Sequence, residues 1–99
     1  MFYIDSLFSY KSKRSWKWNK SCHLFCDIGD IQELHKFIQT FGISRNRFSN
    51  KKNSMPHYDI LPEERNRIIE SGNVKQVDKE FVVEKLKEWR KIKKEKYAN

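Results

Sequence analysis

Glycine is scarce: Gly29, Gly42 and Gly72 stand apart from one another in 99 residues. No glycine-rich loop therefore exists to cradle a phosphate, and no recognised catalytic signature takes its place. Long apolar runs are missing as well. None approaches the roughly 18 residues that a bilayer-spanning helix needs. The opening stretch MFYIDSLFSYKSKR carries its charges after a short apolar run, the reverse of a secretory signal, so a cytoplasmic protein with no membrane partner is expected. Cysteine is limited to Cys22 and Cys26. On a strand they lie about 13 Å apart at ~3.3 Å per residue, too far for a disulfide. With His23 they match no paired zinc knuckle, so reduced core thiols are the expectation.

Acidic residues are few beside basic ones, 13 Asp and Glu against 21 Lys and Arg, for a net charge of +8. Such a balance favours polyanionic partners. Two segments, YKSKRSWKWNK (10–20) and SRNRFSNKKN (44–53), hold no acidic residue, and EWRKIKKEKYAN (88–99) reads as a basic helical tail. In the first, Arg14, Trp16, Lys17, Trp18 and Lys20 alternate cations with flat rings. That pattern suits stacking on bases and neutralising phosphates; alternatively the tryptophans fold back as lids on the core. Seven Phe, four Tyr and three Trp raise the burial available to a chain only 37% apolar, enough for one small domain over residues 1–99.

FYID (2–5) reads as a buried strand ending at Asp5, and CHLFC (22–26) as a second followed by the turn DIGD. Asp30 with Glu33 forms a capping-box pattern before a helix whose Ile31, Leu34, Ile38 and Phe41 share a face, and Gly42 ends it. Residues 42–61 read as a long loop, of a length that is often functional or mobile. Pro62 and Gly72 bracket a second helix, VKQV (74–77) is a third strand, and Asp78 caps a last helix with Val82, Leu86 and Trp89 on one face. The prediction is an α/β fold: a three- or four-stranded sheet packed with about three helices on one or both faces. Sixteen residues without a helix signal join the first two strands, so antiparallel pairing is at least as natural as a crossover. That pairing sets Asp5 beside His23, under the basic loop.

FYID, CHLFCD, ELHKFIQTFGI and HYDILPEERNRIIESGNVKQV together resemble a small bacterial and phage family known only as a domain of unknown function, over about residues 2–83. Its members run Tyr-Val-Asp, a basic loop, Ser-His-Leu followed by Asp, Glu-Leu-His on a helix, and His-Tyr-Asp before an Arg-containing helix that ends in Gly. Asp5, His23, Asp27, Glu33, His35, His57, Tyr58, Asp59 and Arg65 fall on that pattern. Cys22 stands where Ser is usual, and the family mostly lacks the Lys-rich stretch after Trp89. The resemblance selects residues and implies no reaction; a phage origin would place the protein in the host cytoplasm.

The candidate catalytic residues are therefore His57, His23 and Asp59, with Arg65, Tyr58, Arg14, Asp5 and His35 as candidate ligand-binding groups. Histidine and carboxylate hold Zn²⁺ or Mn²⁺, with His23, His57 and Asp59 the candidate ligands, and a water on such an ion is a nucleophile near neutral pH. Without metal, protonated histidine and Arg65 bind phosphate directly, and a second histidine acts as general acid or base. Plainer readings stand beside these. His35 suits a core-edge histidine, His57-Tyr58-Asp59 a polar turn, and Arg65 an ion pair with Asp59 or Asp27. Three function classes follow: a phosphate- or nucleotide-binding protein, a metal-dependent phosphoesterase or nuclease that also uses Asp5, and a phage-encoded interaction protein acting on nucleic acid or a host factor. In the first two, His23, His57, Asp59 and Arg65 converge in one pocket, and His57 hangs on a mobile loop.

Overall fold

Short apolar runs ending in aspartate form the centre of the sheet. The computed structural model describes residues 1–9, 20–52 and 54–97; Arg14, Trp16, Lys17 and Trp18 lie outside them. Strand β1 (Phe2–Ile4) runs antiparallel to β3 (Lys20–Cys26), with Tyr3 opposite Phe25 and Ile4 opposite Leu24. The Asp5 amide then donates to the His23 carbonyl at 3.2 Å. Between them the short β2 (Phe8–Ser9) also pairs with β3. Helices α1 (Ile31–Gln39), α2 (Pro62–Glu70) and α3 (Lys79–Tyr97) complete an α/β fold, and none is long and apolar enough to cross a membrane.

The helix starts depart from expectation at one point. Asp30 makes no side-chain cap to α1; its carboxylate takes the N-terminal ammonium at 2.6 Å. A charged donor outcompetes the helix amides for it. Asp78 does cap α3, accepting from the Phe81 amide at 2.9 Å, and Glu64 closes the start of α2 by accepting from the Leu61 amide at 3.0 Å.

The stretch 42–61 is not a loop. It holds a 3₁₀ turn (Arg45–Arg47), β4 (Phe48–Ser49) and β5 (His57–Ile60). Strand β5 pairs antiparallel with β3, His23 opposite Asp59 and Leu24 opposite Tyr58, while β4 pairs with β5. Adding β6 (Val74–Gln76), parallel to β1, gives the order β4-β5-β3-β1-β6. The sheet is thus wider than three or four strands, and His57-Tyr58-Asp59 lies inside it and not on a loop tip. The preceding segment is tied down too. Ile43 and Met55 are buried, and the Arg47 guanidinium grips both carboxylate oxygens of Glu64.

Alternation along the strands sorts side chains between two faces. Ile4, Cys22, Leu24, Cys26, Tyr58 and Ile60 point toward α1 and α2, where Leu34, Ile38 and Ile68 complete a fully buried core. Each such aliphatic side chain contributes roughly 1.5–3 kcal/mol by leaving water. Both cysteines are free, and burial pushes each thiol up to about 12, which leaves them inert. On the opposite face Tyr3 packs against Phe25 and against Phe81 of α3, and the Trp89 indole donates to the Cys26 carbonyl at 3.2 Å. Helix α3 covers only part of this face. Beyond it lie His23, His57 and Asp59.

Candidate functional site

In β5 His57 and Asp59 are two residues apart and so share a face, and the register of β3 brings His23 opposite Asp59. The imidazole centroids of His23 and His57 are 4.9 Å apart, with the rings nearly perpendicular at 88°. Both Nε2 atoms turn toward one oxygen: Asp59 Oδ1 is 3.5 Å from His57 Nε2 and 4.0 Å from His23 Nε2. One ligand atom from each residue falls within 4.8 Å of the other two, a spacing that a single ion can bridge.

The opposite ring nitrogens are held from behind. His23 Nδ1 lies 2.7 Å from Asp5 Oδ2, and the His23 amide donates to Asp5 Oδ1 at 2.6 Å. His57 Nδ1 lies 2.7 Å from the Met55 carbonyl oxygen. A carbonyl and a carboxylate only accept, so each Nδ1 carries a proton. The Nε2–H of protonated His57 donates to Asp59, and once that proton is lost Nε2 offers a lone pair on the same side. Outer partners of this kind orient metal-ligating histidines.

Arg65 belongs to this support and not to the cluster. Its Nε donates to the Asp5 carbonyl at 3.0 Å, and its guanidinium sits beside the Cys22 thiol on the face covered by α2. The expected pairing with Asp59 or Asp27 is not formed. Asp27 instead accepts from the Tyr3 hydroxyl at 2.9 Å and from Lys85 at 2.7 Å. His35 and Tyr58 leave the cluster for the same reason of alternation. They form a buried pair on the helix-covered side, His35 Nδ1 to Tyr58 Oη at 2.6 Å, edge-on to Phe48. Burial, helped by Arg45, lowers the proton affinity of His35, and burial raises the Tyr58 hydroxyl.

Within the cluster, burial works against a charged His57, but the hydrogen bonds to Asp59 and the Met55 carbonyl and the charges of Asp59 and Asp5 outweigh it, and its proton affinity rises. Asp59 is held below the usual carboxylate range by the His57 hydrogen bond, against burial, with further help from the charges of His57, His23 and Arg47. Two carboxylates, Asp5 and Asp59, flank two imidazoles that bind cations when neutral.

The Met55 carbonyl leaves no trace in composition or spacing, because every residue carries one. Lys93 is missed differently: within a lysine-rich helix it reads as one more solvated charge, yet it binds Asn50, Lys51 and Ser54 just before β5. Comparison with curated proteins and with solved structures finds no match. The model of one family does match, over residues 2–88, which take in every residue of the cluster and its Asp5, Met55 and Arg65 supports. The chain belongs to the family described as Protein of unknown function (DUF4031).

Proposed function

We propose that His23, His57 and Asp59 bind one divalent metal ion, Zn²⁺ or Mn²⁺, and that the protein is a metal-dependent hydrolase of phosphoesters, its substrate a nucleotide, another phosphorylated small molecule or nucleic acid. The observation that carries this reading is the convergence of the three ligand atoms within 4.8 Å, with each histidine fixed through Nδ1. Two imidazoles and one carboxylate leave coordination positions for water and substrate. A bound ion there supplies Lewis acidity and lowers the pKa of a water toward neutrality. Asp5 holds His23 in the ligating tautomer, Met55 does the same for His57, and Arg65 fixes the backbone of Asp5.

Charge favours this reading over direct phosphate capture by His23, His57, Asp59 and Arg65. Asp59 stands beside both Nε2 atoms and Asp5 behind one of them, so the metal-free site repels an anion. Arg65, bonded to the Asp5 carbonyl on the other side of the sheet, does not offset that repulsion. A divalent ion reverses the sign. The net charge of +8 further favours a negatively charged substrate.

The test is hydrolysis of bis(p-nitrophenyl) phosphate by metal-stripped protein to which Zn²⁺ or Mn²⁺ is returned. Turnover should depend on the ion and vanish in His57→Ala and Asp59→Asn. Turnover that persists in both variants, or none at saturating metal, contradicts the assignment. Metal-free binding of inorganic phosphate, lost in the same variants, would favour the binding-protein reading instead.

A further inference from the structure

Helix α3 reaches past the core to the segment that leads into β5. There Lys93 Nζ donates to Asn50 Oδ1 at 2.6 Å, to the Lys51 carbonyl at 2.8 Å and to the Ser54 carbonyl at 2.7 Å. An ammonium has three N–H groups, and three acceptors receive them. The acceptors are all neutral. The Lys51 carbonyl also accepts from the Ser54 amide at 3.1 Å, so removing the ammonium leaves that turn and frees the Ser54 carbonyl and Asn50 Oδ1 from the bond to Lys93. Ser54 is followed directly by Met55, whose carbonyl holds His57 Nδ1 at 2.7 Å. A shift of the 54–55 peptide therefore moves the group that sets the tautomer and direction of His57. His23 has no such dependence, since its Nδ1 partner, Asp5, sits at the end of β1.

We propose that Lys93 is a positioning residue for His57, acting through the Ser54 and Met55 carbonyls to keep Nε2 aimed at Asp59. Lys93 lies beyond residues 2–88, so this clasp is supplied by sequence outside the part that matches the family. The effect on metal affinity rests on the metal reading above; the effect on the imidazole does not.

Nitrogen-15 NMR of the imidazoles in metal-free protein separates the two, read in wild type and in Lys93→Met, which keeps the aliphatic stem. At a pH above its titration, wild-type His57 should show the tautomer protonated on Nδ1. In the variant its signals should move toward the tautomer protonated on Nε2 while those of His23 stay in place, and Zn²⁺ should bind about tenfold more weakly, as when an outer partner of a ligand is lost. Asn50→Ala, which deletes one acceptor and leaves α3 intact, should shift His57 in the same direction and serves if Lys93→Met does not fold. Unchanged His57 signals and unchanged Zn²⁺ binding overturn the proposal, as does an equal shift of His23. A wild type that binds no Zn²⁺, together with a variant whose His57 tautomer moves, sinks the metal reading and leaves Lys93 as the positioning residue.

Discussion

The two imidazoles owe their direction to acceptors behind them, and that dependence can be measured one residue at a time. Asp5→Asn keeps the shape of the partner but offers an amide that can donate to Nδ1, so it should weaken metal binding at His23 by about 10- to 100-fold with little loss of secondary structure; calorimetric titration with Zn²⁺ checks it. His57→Ala removes a half-buried ring and its bond to Met55, a loss of about 1–2 kcal/mol in a urea unfolding curve, small beside core truncation. It should still abolish metal binding. Protons compete for the same site. His57 is raised, so its contribution to stability is complete below the ordinary imidazole value of 6.5 and fades as pH rises through its higher folded value. Asp59 is lowered, so its contribution is complete above the ordinary 3.8 and fades as pH falls through its lower folded value. Between 3.8 and 6.5 the pair stabilises the fold most. Asp59→Asn should lower the urea midpoint within that window and flatten its fall on either side, and an unchanged pH profile would mean the two groups do not interact in solution.

At the scale of elements, β5 shows where sequence reading stops. His57-Tyr58-Asp59-Ile60 alternates polar with apolar, which is a strand pattern, but four residues flanked by Pro56 and Pro62 give it too little length to outweigh the polar composition of what precedes it. The pairing with β3 that makes it a strand is a long-range fact. The aspartate-terminated apolar runs, the capped α3 and the face shared by Val82, Leu86 and Trp89 were legible because each is local. His23, His57 and Asp59 were legible as candidate groups expected to converge, while the register of two strands that brings them together is encoded by no spacing. Conversely, the period of two that puts Asp59 with His57 also sends Tyr58 to the other side, so His35 and Tyr58 serve as the anchor of β5. Tyr58→Phe should cost about 1–3 kcal/mol in urea unfolding, since it strands the buried His35 Nδ1. A loss within 0.3 kcal/mol would show that bond to be idle, since surface substitutions fall within about 0.5 kcal/mol. Arg47→Ala, which leaves Glu64 half-satisfied at the start of α2, should cost about 2 kcal/mol by the same measurement.

Across the whole molecule, helices and sheet set one polar cluster on a sheet face: α1 and α2 close the other face, α3 covers part of this one, and beside it lie the part-buried His23, His57 and Asp59, in a protein of net charge +8. The net charge favours association with anions, while the cluster itself combines carboxylates with imidazoles, the donor set of the proposed cation site. Metal binding is therefore the central claim of the proposed function. The direct measurement is isothermal titration of metal-stripped protein with Zn²⁺ and Mn²⁺ near neutral pH, repeated in buffers of different ionisation enthalpy to count released protons. One ion per chain should bind, with proton release that grows as pH falls toward the His57 titration, and binding should be lost in His23→Ala, His57→Ala and Asp59→Asn alike. Absence of saturable binding, or binding that survives all three substitutions, contradicts the account.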